Sequence, residues 1–340
     1  MQRNLGLAGF LALIGLVVMP QPGASAEVEI SDWTGAKARL TDGYVENAGV
    51  KIHYHTVGEG PLVVMVHGVG GVWFDWRQQI PSLAKNYKVV AMSTRGTDQS
   101  DKPPRVEDYE SAKVASDIDA IIRHFGREKA IIMAYDSGRF HAWYFAMHYP
   151  QRTERLVAIG SFHPANVVRE YATNPAQQKA GEYSKNFQEN PNAGAEIAAQ
   201  RRNPNGPMRP ADTPETHKMR LEAAQRTSWE AMMNFYRANW PRAPYSLDTA
   251  AFGARISEYP KVKVPTLVIY GRDDAPLLVD GLNDLWKWVD NELTLLVLPG
   301  HGHGPHIEIP DFVTPRILDW LATRERPAFV YPPTSPIKTP

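Results

Sequence analysis

The chain of 340 residues carries 37 basic and 37 acidic side chains, is 43% hydrophobic and contains no cysteine. That apolar content excludes a wholly disordered or fibrous protein. The balanced charge argues against a nucleic-acid partner, and the missing cysteines exclude disulfides, thiolate metal sites and a cysteine nucleophile.

The length suits one large α/β unit with an insertion, or about two domains. At the start, Arg3 precedes an apolar run over residues 5–19, and a small-x-small site, Ala24-Ser25-Ala26, follows. This is the layout of a secretory signal peptide, and the run is short of the ~20 residues that span a bilayer. The expected product is an exported chain with no stable membrane anchor, cleaved near Ala26. Mass spectrometry should then find a mature N-terminus at Glu27 in the periplasm or medium. Intact Met1 in a membrane fraction would make the segment an anchor instead.

From residue 50 onward, short apolar runs alternate with helix-like segments. Residues 62–66, 89–92, 130–133 and 156–159 are continuous apolar runs, the pattern of strands buried on both faces of a parallel sheet. Between the second and third, Val114, Ile118, Ile121, Ile122 and Phe125 fall at helical spacing, closed by Gly126. Residues 164–260 break the rhythm: they lack strand runs, with a connector over 201–213 and a helix-like stretch over 215–238. Strand runs resume at 266–270 and 293–298, and a last amphipathic helix carries Phe312, Ile317, Leu318 and Leu321. The expected fold class is α/β, a mostly parallel sheet with a helical insertion of a size fit to form a lid. Its expected organisation is a signal peptide over 1–26, core over 27–163, lid over 164–260, core over 261–325 and a Pro-rich tail over 326–340.

The third strand runs into Ala134-Tyr135-Asp136-Ser137-Gly138. Small-x-acid-x-small at a strand-to-helix turn is a nucleophile elbow with aspartate in the nucleophile's place; the plainer reading is that Asp136 caps the helix. Ser137 is a rival nucleophile, but its own flanks would be the bulky Tyr135 and Arg139. The first strand ends in His67-Gly68-Val69-Gly70-Gly71. An oxyanion hole in such a fold takes the N–H after the nucleophile, here Ser137, and one from this loop, here Val69. The later strands end in Gly271-Arg272-Asp273-Asp274 and Pro299-Gly300-His301-Gly302-His303-Gly304, so nucleophile, acid and histidine follow the order of the α/β-hydrolase triad.

From about residue 49 to 321 the chain resembles the epoxide hydrolase branch of the α/β-hydrolase superfamily. The motifs that carry the resemblance are His67-Gly68-Val69-Gly70, the run 73–81 from Trp73 to Pro81, Arg95-Gly96, Ala134-Tyr135-Asp136-Ser137-Gly138, Gly271-x-x-Asp274 and Pro299-Gly300-His301-Gly302-His303. It implies that Asp274 rather than Asp273 is the acid, that His303 rather than His301 is the base, and that two lid tyrosines hold the epoxide oxygen. Tyr236, in Asn234-Phe235-Tyr236-Arg237, resembles one of these tyrosines closely, and Tyr183, in the segment 182–188, resembles the other more loosely. Two residues depart from the family pattern: Ser137 stands for a tryptophan and Gly70 for a proline. Arg139 and His141 are also unusual, and the sequence assigns them no role.

The implied activity is hydrolysis of an epoxide to a vicinal diol through an ester on Asp136, with water as co-substrate and no cofactor. The rivals are a haloalkane or haloacid dehalogenase with the same nucleophile, disfavoured by the absent halide-binding indole, a serine esterase, and a catalytically idle secreted binding protein. His301, His303 and His306 lack an accompanying zinc-enzyme motif such as His-Glu-x-x-His, so no metal is expected. The sequence sets no oligomeric state, and a homo-oligomer remains open.

Overall fold

The computed structural model of the protein describes residues 27–209 and 212–323. The expected signal peptide over 1–26 and tail over 326–340 lie outside the described residues.

Three strands that the apolar runs do not reveal open the fold: β1 (Glu27–Ser31), β2 (Lys37–Asn47) and β3 (Val50–Val57), paired antiparallel. They escaped the search for continuous apolar runs because β2 carries its buried residues singly. Ala38, Leu40 and Val45 point inward while Lys37, Arg39 and Glu46 face solvent, as expected where one face is wet. The parallel strands follow as β4 (Leu62–Val66), β5 (Lys88–Met92), β6 (Ala130–Tyr135), β7 (Thr153–Ile159), β8 (Thr266–Gly271) and β9 (Leu293–Leu298). All nine form one sheet in the order β1-β2-β3-β5-β4-β6-β7-β8-β9.

The strands β4 and β6 are buried throughout, and successive residues serve opposite cores. Val64, Val66, Ile132 and Ala134 join the cluster on one face, and Val63, Met65, Ile131 and Met133 the cluster on the other. Helices cover both faces. Among the described residues the first helices are α1 (Ile80–Leu83), α2 (Ser111–His124) and α3 (Gly138–His148). Then come α4 (Pro164–Thr173), α5 (Pro175–Ala180), α6 (Glu182–Glu189), α7 (Ala193–Arg201), α8 (Pro214–Arg226) and α9 (Trp229–Asn239), all between β7 and β8. Finally α10 (Pro305–Glu308) and α11 (Pro310–Ala322) close the described chain. Among the described residues no helix is long and apolar enough to cross a membrane.

The helix-like stretch expected over 215–238 is two helices. The chain turns extended at Thr227 and Ser228, and the Ser228 hydroxyl accepts from the Ala231 N–H to start α9, a serine cap that ends the run more strongly than its helical composition extends it. The break matters for position. The Ser228 N–H donates to the Gly96 carbonyl, and the Asn239 side chain receives the Ser111 N–H and donates to the Tyr109 carbonyl. Both ends of α9 are thereby tied to loops of the sheet domain, which fixes where Tyr236 points.

Candidate active site

The site lies at the carboxyl ends of β4, β6, β8 and β9, where α/β sheets commonly place their ligands. Asp136 sits between β6 and α3 at φ 52°, a left-handed conformation that aspartate adopts at modest cost. The turn is tight because a Cβ on Gly138 would lie 2.3 Å from the His67 carbonyl oxygen, and one on Gly68 would run into the Asp136 side chain. The small residues that flank the acid are what let it stand out of the sheet.

His67 holds the neighbouring loop in shape. Its Nδ1–H donates to the Gly68 carbonyl at 2.8 Å and its Nε2 accepts from the Thr94 N–H at 3.1 Å, one neutral tautomer satisfying both. The loop then presents the Val69 N–H, 2.9 Å from Asp136 Oδ1, and the Ser137 N–H meets the same oxygen at 2.5 Å. The Val69 N–H also faces the Ser137 hydroxyl oxygen at 2.6 Å. Val69 and Ser137 thus converge on one carboxylate oxygen and leave Oδ2 to another partner.

That partner is His303. Its Nε2 lies 2.6 Å from Asp136 Oδ2 and its Nδ1 lies 2.7 Å from Asp274 Oδ2. The Asp274 side chain is buried, whereas Asp273 is half exposed and bonded to Arg272 and the Gly300 N–H. His301 turns to Glu308, and His306 is buried against Trp76 and Tyr135. The closeness of the loops depends on glycine at 271, where a Cβ would fall 2.0 Å from the Gly302 carbonyl oxygen.

The charges are coupled. Burial alone would raise the Asp136 pKa, but the hydrogen bond and charge of His303, then Arg139 and the Ser137 N–H, hold it well below the usual carboxylate range. For His303 burial acts to lower the pKa, and hydrogen bonds to Asp136 and Asp274 overcome it and raise the value to about 9. At neutral pH the resting pair is carboxylate and imidazolium.

Tyr183 on α6 and Tyr236 on α9 meet edge to face, ring centroids 6.0 Å apart. Both line a cavity of about 300 Å³ with Asp136 and His303, further walled by Phe187, Trp229 and Met233. Burial, reinforced by neighbouring negative groups, raises both phenol pKa values far above the ordinary one. Both hydroxyls are therefore protonated donors at neutral pH. The structure brings together all seven residues singled out in the sequence: Asp136, Asp274, His303, Tyr183, Tyr236, Val69 and Ser137.

Arg139 is the functional neighbour that sequence reasoning missed. It is 2% exposed, its guanidinium lies over the Phe140 ring, and its Nη1 is 3.5 Å from His303 Nε2. A buried cation there supports ionised Asp136 and opposes excess protonation of His303. The available signal was an arginine on the nucleophile's own helix, among residues otherwise apolar enough to be buried. His141, by contrast, is packed on Phe235 and near Ser111, and burial lowers its pKa to about 3. It is a neutral core residue.

The chain is similar to known α/β-hydrolases. The family model for the alpha/beta hydrolase fold matches residues 61–310. Epoxide hydrolase 4 of Mus musculus is 26% identical over 83% of this chain and 79% of its own length. Epoxide hydrolase 1 of Caenorhabditis elegans is 26% identical over 82% of this chain and 69% of its own. Among solved structures, a mutant epoxide hydrolase from Bacillus megaterium, complexed with a naphthyloxy-propanediol product, superposes with a TM-score of 0.74 at 25% identity. The match covers 82% of this chain and 100% of that one.

Proposed function

The chain belongs to the α/β-hydrolase fold family, and from that premise we propose that it hydrolyses epoxides to vicinal diols through an ester on Asp136, as an exported enzyme with α4–α9 as its lid. The observation that carries this reading is the cavity in which two protonated tyrosines face a carboxylate already paired with a histidine. The relatives' names support the reaction class.

In the first half-reaction Asp136 Oδ2 forms a bond to a ring carbon as that carbon's bond to oxygen breaks. Tyr183 and Tyr236 donate hydrogen bonds to the departing oxygen and supply its proton. Ester formation removes the charge that kept His303 protonated, so the imidazolium proton replenishes the tyrosine pair and leaves neutral imidazole. In the second half-reaction His303 takes a proton from water, oriented by Asp274, as the water oxygen attacks Asp136 Cγ. Charge develops on Oδ1, where the Val69 and Ser137 N–H groups already point. Collapse expels the diol oxygen, which takes the proton from His303, and the carboxylic acid left on Asp136 passes the second water proton to His303, restoring the carboxylate and the imidazolium.

A dehalogenase would share the ester chemistry but gain nothing from two phenol donors aimed at a leaving oxygen. A panel of epoxides, haloalkanes and esters decides between the readings: diol alone is expected, and halide or carboxylic acid as sole product would overturn the proposal. Within it, Tyr236→Phe removes one donor and should slow epoxide opening about 10- to 1000-fold. The fold should persist, since the buried ring is kept. Unchanged turnover would exclude Tyr236 from the chemistry.

A further inference from the structure

Arg201, the last residue of α7, lines the same cavity as Asp136, Tyr183, Tyr236 and His303. It also lines a second cavity of about 430 Å³, walled by Arg209, His217 and Arg220. Among the described residues the Arg201 side chain makes no hydrogen bond or ion pair, which distinguishes it from its neighbours. Arg220 is bonded to Asp75 at 2.7 Å and to Asp212 at 2.8 Å. Arg77 is 3.3 Å from Asp212, and Arg209 donates to the Gly70 carbonyl at 3.3 Å while lying 4.0 Å from Asp75.

The two carboxylates of this network are therefore engaged by other arginines. Arg201, exposed at the end of α7, is left partly shielded from water by the cavity wall and feels the like charges of Arg209 and Arg220. Its one nearby negative group in the reaction cavity is Asp136, and the imidazolium of His303 already answers that charge at 2.6 Å. Guanidinium recognises planar oxyanions in two-pronged fashion, so a cation left without a partner on the wall of a reaction cavity is suited to a carboxylate.

We propose that Arg201 is an anion subsite, and that the preferred substrate is an epoxide bearing a carboxylate or equivalent oxyanion remote from the ring. The epoxide would lie between Asp136 and the tyrosines, with the anionic end at Arg201, where Arg209 and Arg220 add long-range attraction. This rests on the epoxide reading above and deepens it. The like charge of substrate and nucleophile is tolerable because Arg139 and protonated His303 stand beside Asp136.

The test uses terminal epoxides ending in a carboxylate, with four to ten carbons as the tether (about the span of cavities this size), and the methylamides of the same acids. Diol formation is measured as kcat/KM for each pair, at low and high salt. The acids should exceed their amides by about 10- to 100-fold at low salt, the scale of one charge-assisted contact, and the ratio should shrink in salt. Arg201→Gln should bring the ratio to near unity, Arg201→Glu should invert it, and Arg201→Lys should keep part of it. Acids and amides turned over equally well by the unaltered protein would overturn the anion subsite alone. So would a ratio that survives Arg201→Gln. Diol from none of the epoxides would overturn the hydrolase reading, and the subsite with it.

Discussion

Asp136→Ala should abolish diol formation, a loss of roughly 10⁵-fold or more, on the scale of removing a nucleophile from a concerted triad. The backbone there is left-handed, so Asp136→Asn, which tolerates that conformation better than alanine, serves as the folding control. The substitution should also be visible in the histidine. With Asp136 ionised, His303 titrates near pH 9 because both carboxylates hold its proton; with Asp136 gone, its midpoint should fall. The sign for stability follows. The raised His303 pKa gives stabilisation that is fully present below its unfolded value of about 6.5 and lost as pH rises through 9. The depressed Asp136 pKa gives stabilisation present above about 4 and lost as pH falls toward its folded value. Side chains about a quarter to a third exposed make both contributions modest.

Single turnover in oxygen-18 water reports the nucleophile directly. Water attacks Cγ of the ester and leaves its label on Asp136, so the first diol should carry an unlabelled oxygen taken from the enzyme. A first diol fully labelled at the new hydroxyl would mean that water attacks the epoxide itself, with Asp136 acting at most as a base.

The parts of this site that were legible in the sequence are those fixed by local chemistry. The apolar runs of β4 and β6 declare strands buried on both faces, and Ala134 and Gly138 declare the elbow because a larger residue at 138 would strike the His67 carbonyl. The choice of Asp274 over Asp273 was not a local matter, since adjacent acids on one strand end differ only in which loop they face. Resemblance supplied that answer, and the distances now give its physical content: one acid faces His303 and the other faces solvent.

What stayed hidden depended on tertiary placement. The strand β1 buries only Ile30, β2 carries its buried residues singly, and the buried run of β3 from Ile52 to Thr56 interleaves His53 and His55, so no apolar run announces them. The break between α8 and α9 was marked by Thr227 and Ser228, but their weight as a cap is evident only once Ser228 is seen bonding to Ala231. Arg139 reads in sequence as one charged residue on a helix. Its importance comes from the packing of α3 beneath the histidine loop, where the Arg139 guanidinium approaches the imidazole of His303 and supports the charge of Asp136. Arg201 was only the first residue of an expected connector over 201–213; its exposure to the cavity follows from where α7 ends.

His303→Gln should separate the half-reactions and slow overall turnover by about 10²- to 10⁴-fold, the range for losing a general base. Gln keeps hydrogen-bonding capacity near Asp274 but takes no proton from water, so alkylation of Asp136 proceeds while hydrolysis of the ester stalls. Incubated with a substrate that the unaltered enzyme turns over, the variant should gain the mass of one epoxide, and peptide mapping should place it on Asp136. Asp136→Ala should bind the same compound and gain nothing. The oxyanion contacts make the outcome specific: with Oδ1 held by Val69 and Ser137, only Oδ2 is free to be alkylated, and that is the oxygen His303 faces. Loss of the imidazolium also removes the proton that replenishes the tyrosines, so the first turnover should slow at high pH more than at low. Failure to trap any adduct, with turnover still depressed, would place His303 in the ring-opening step instead and reassign it as the acid.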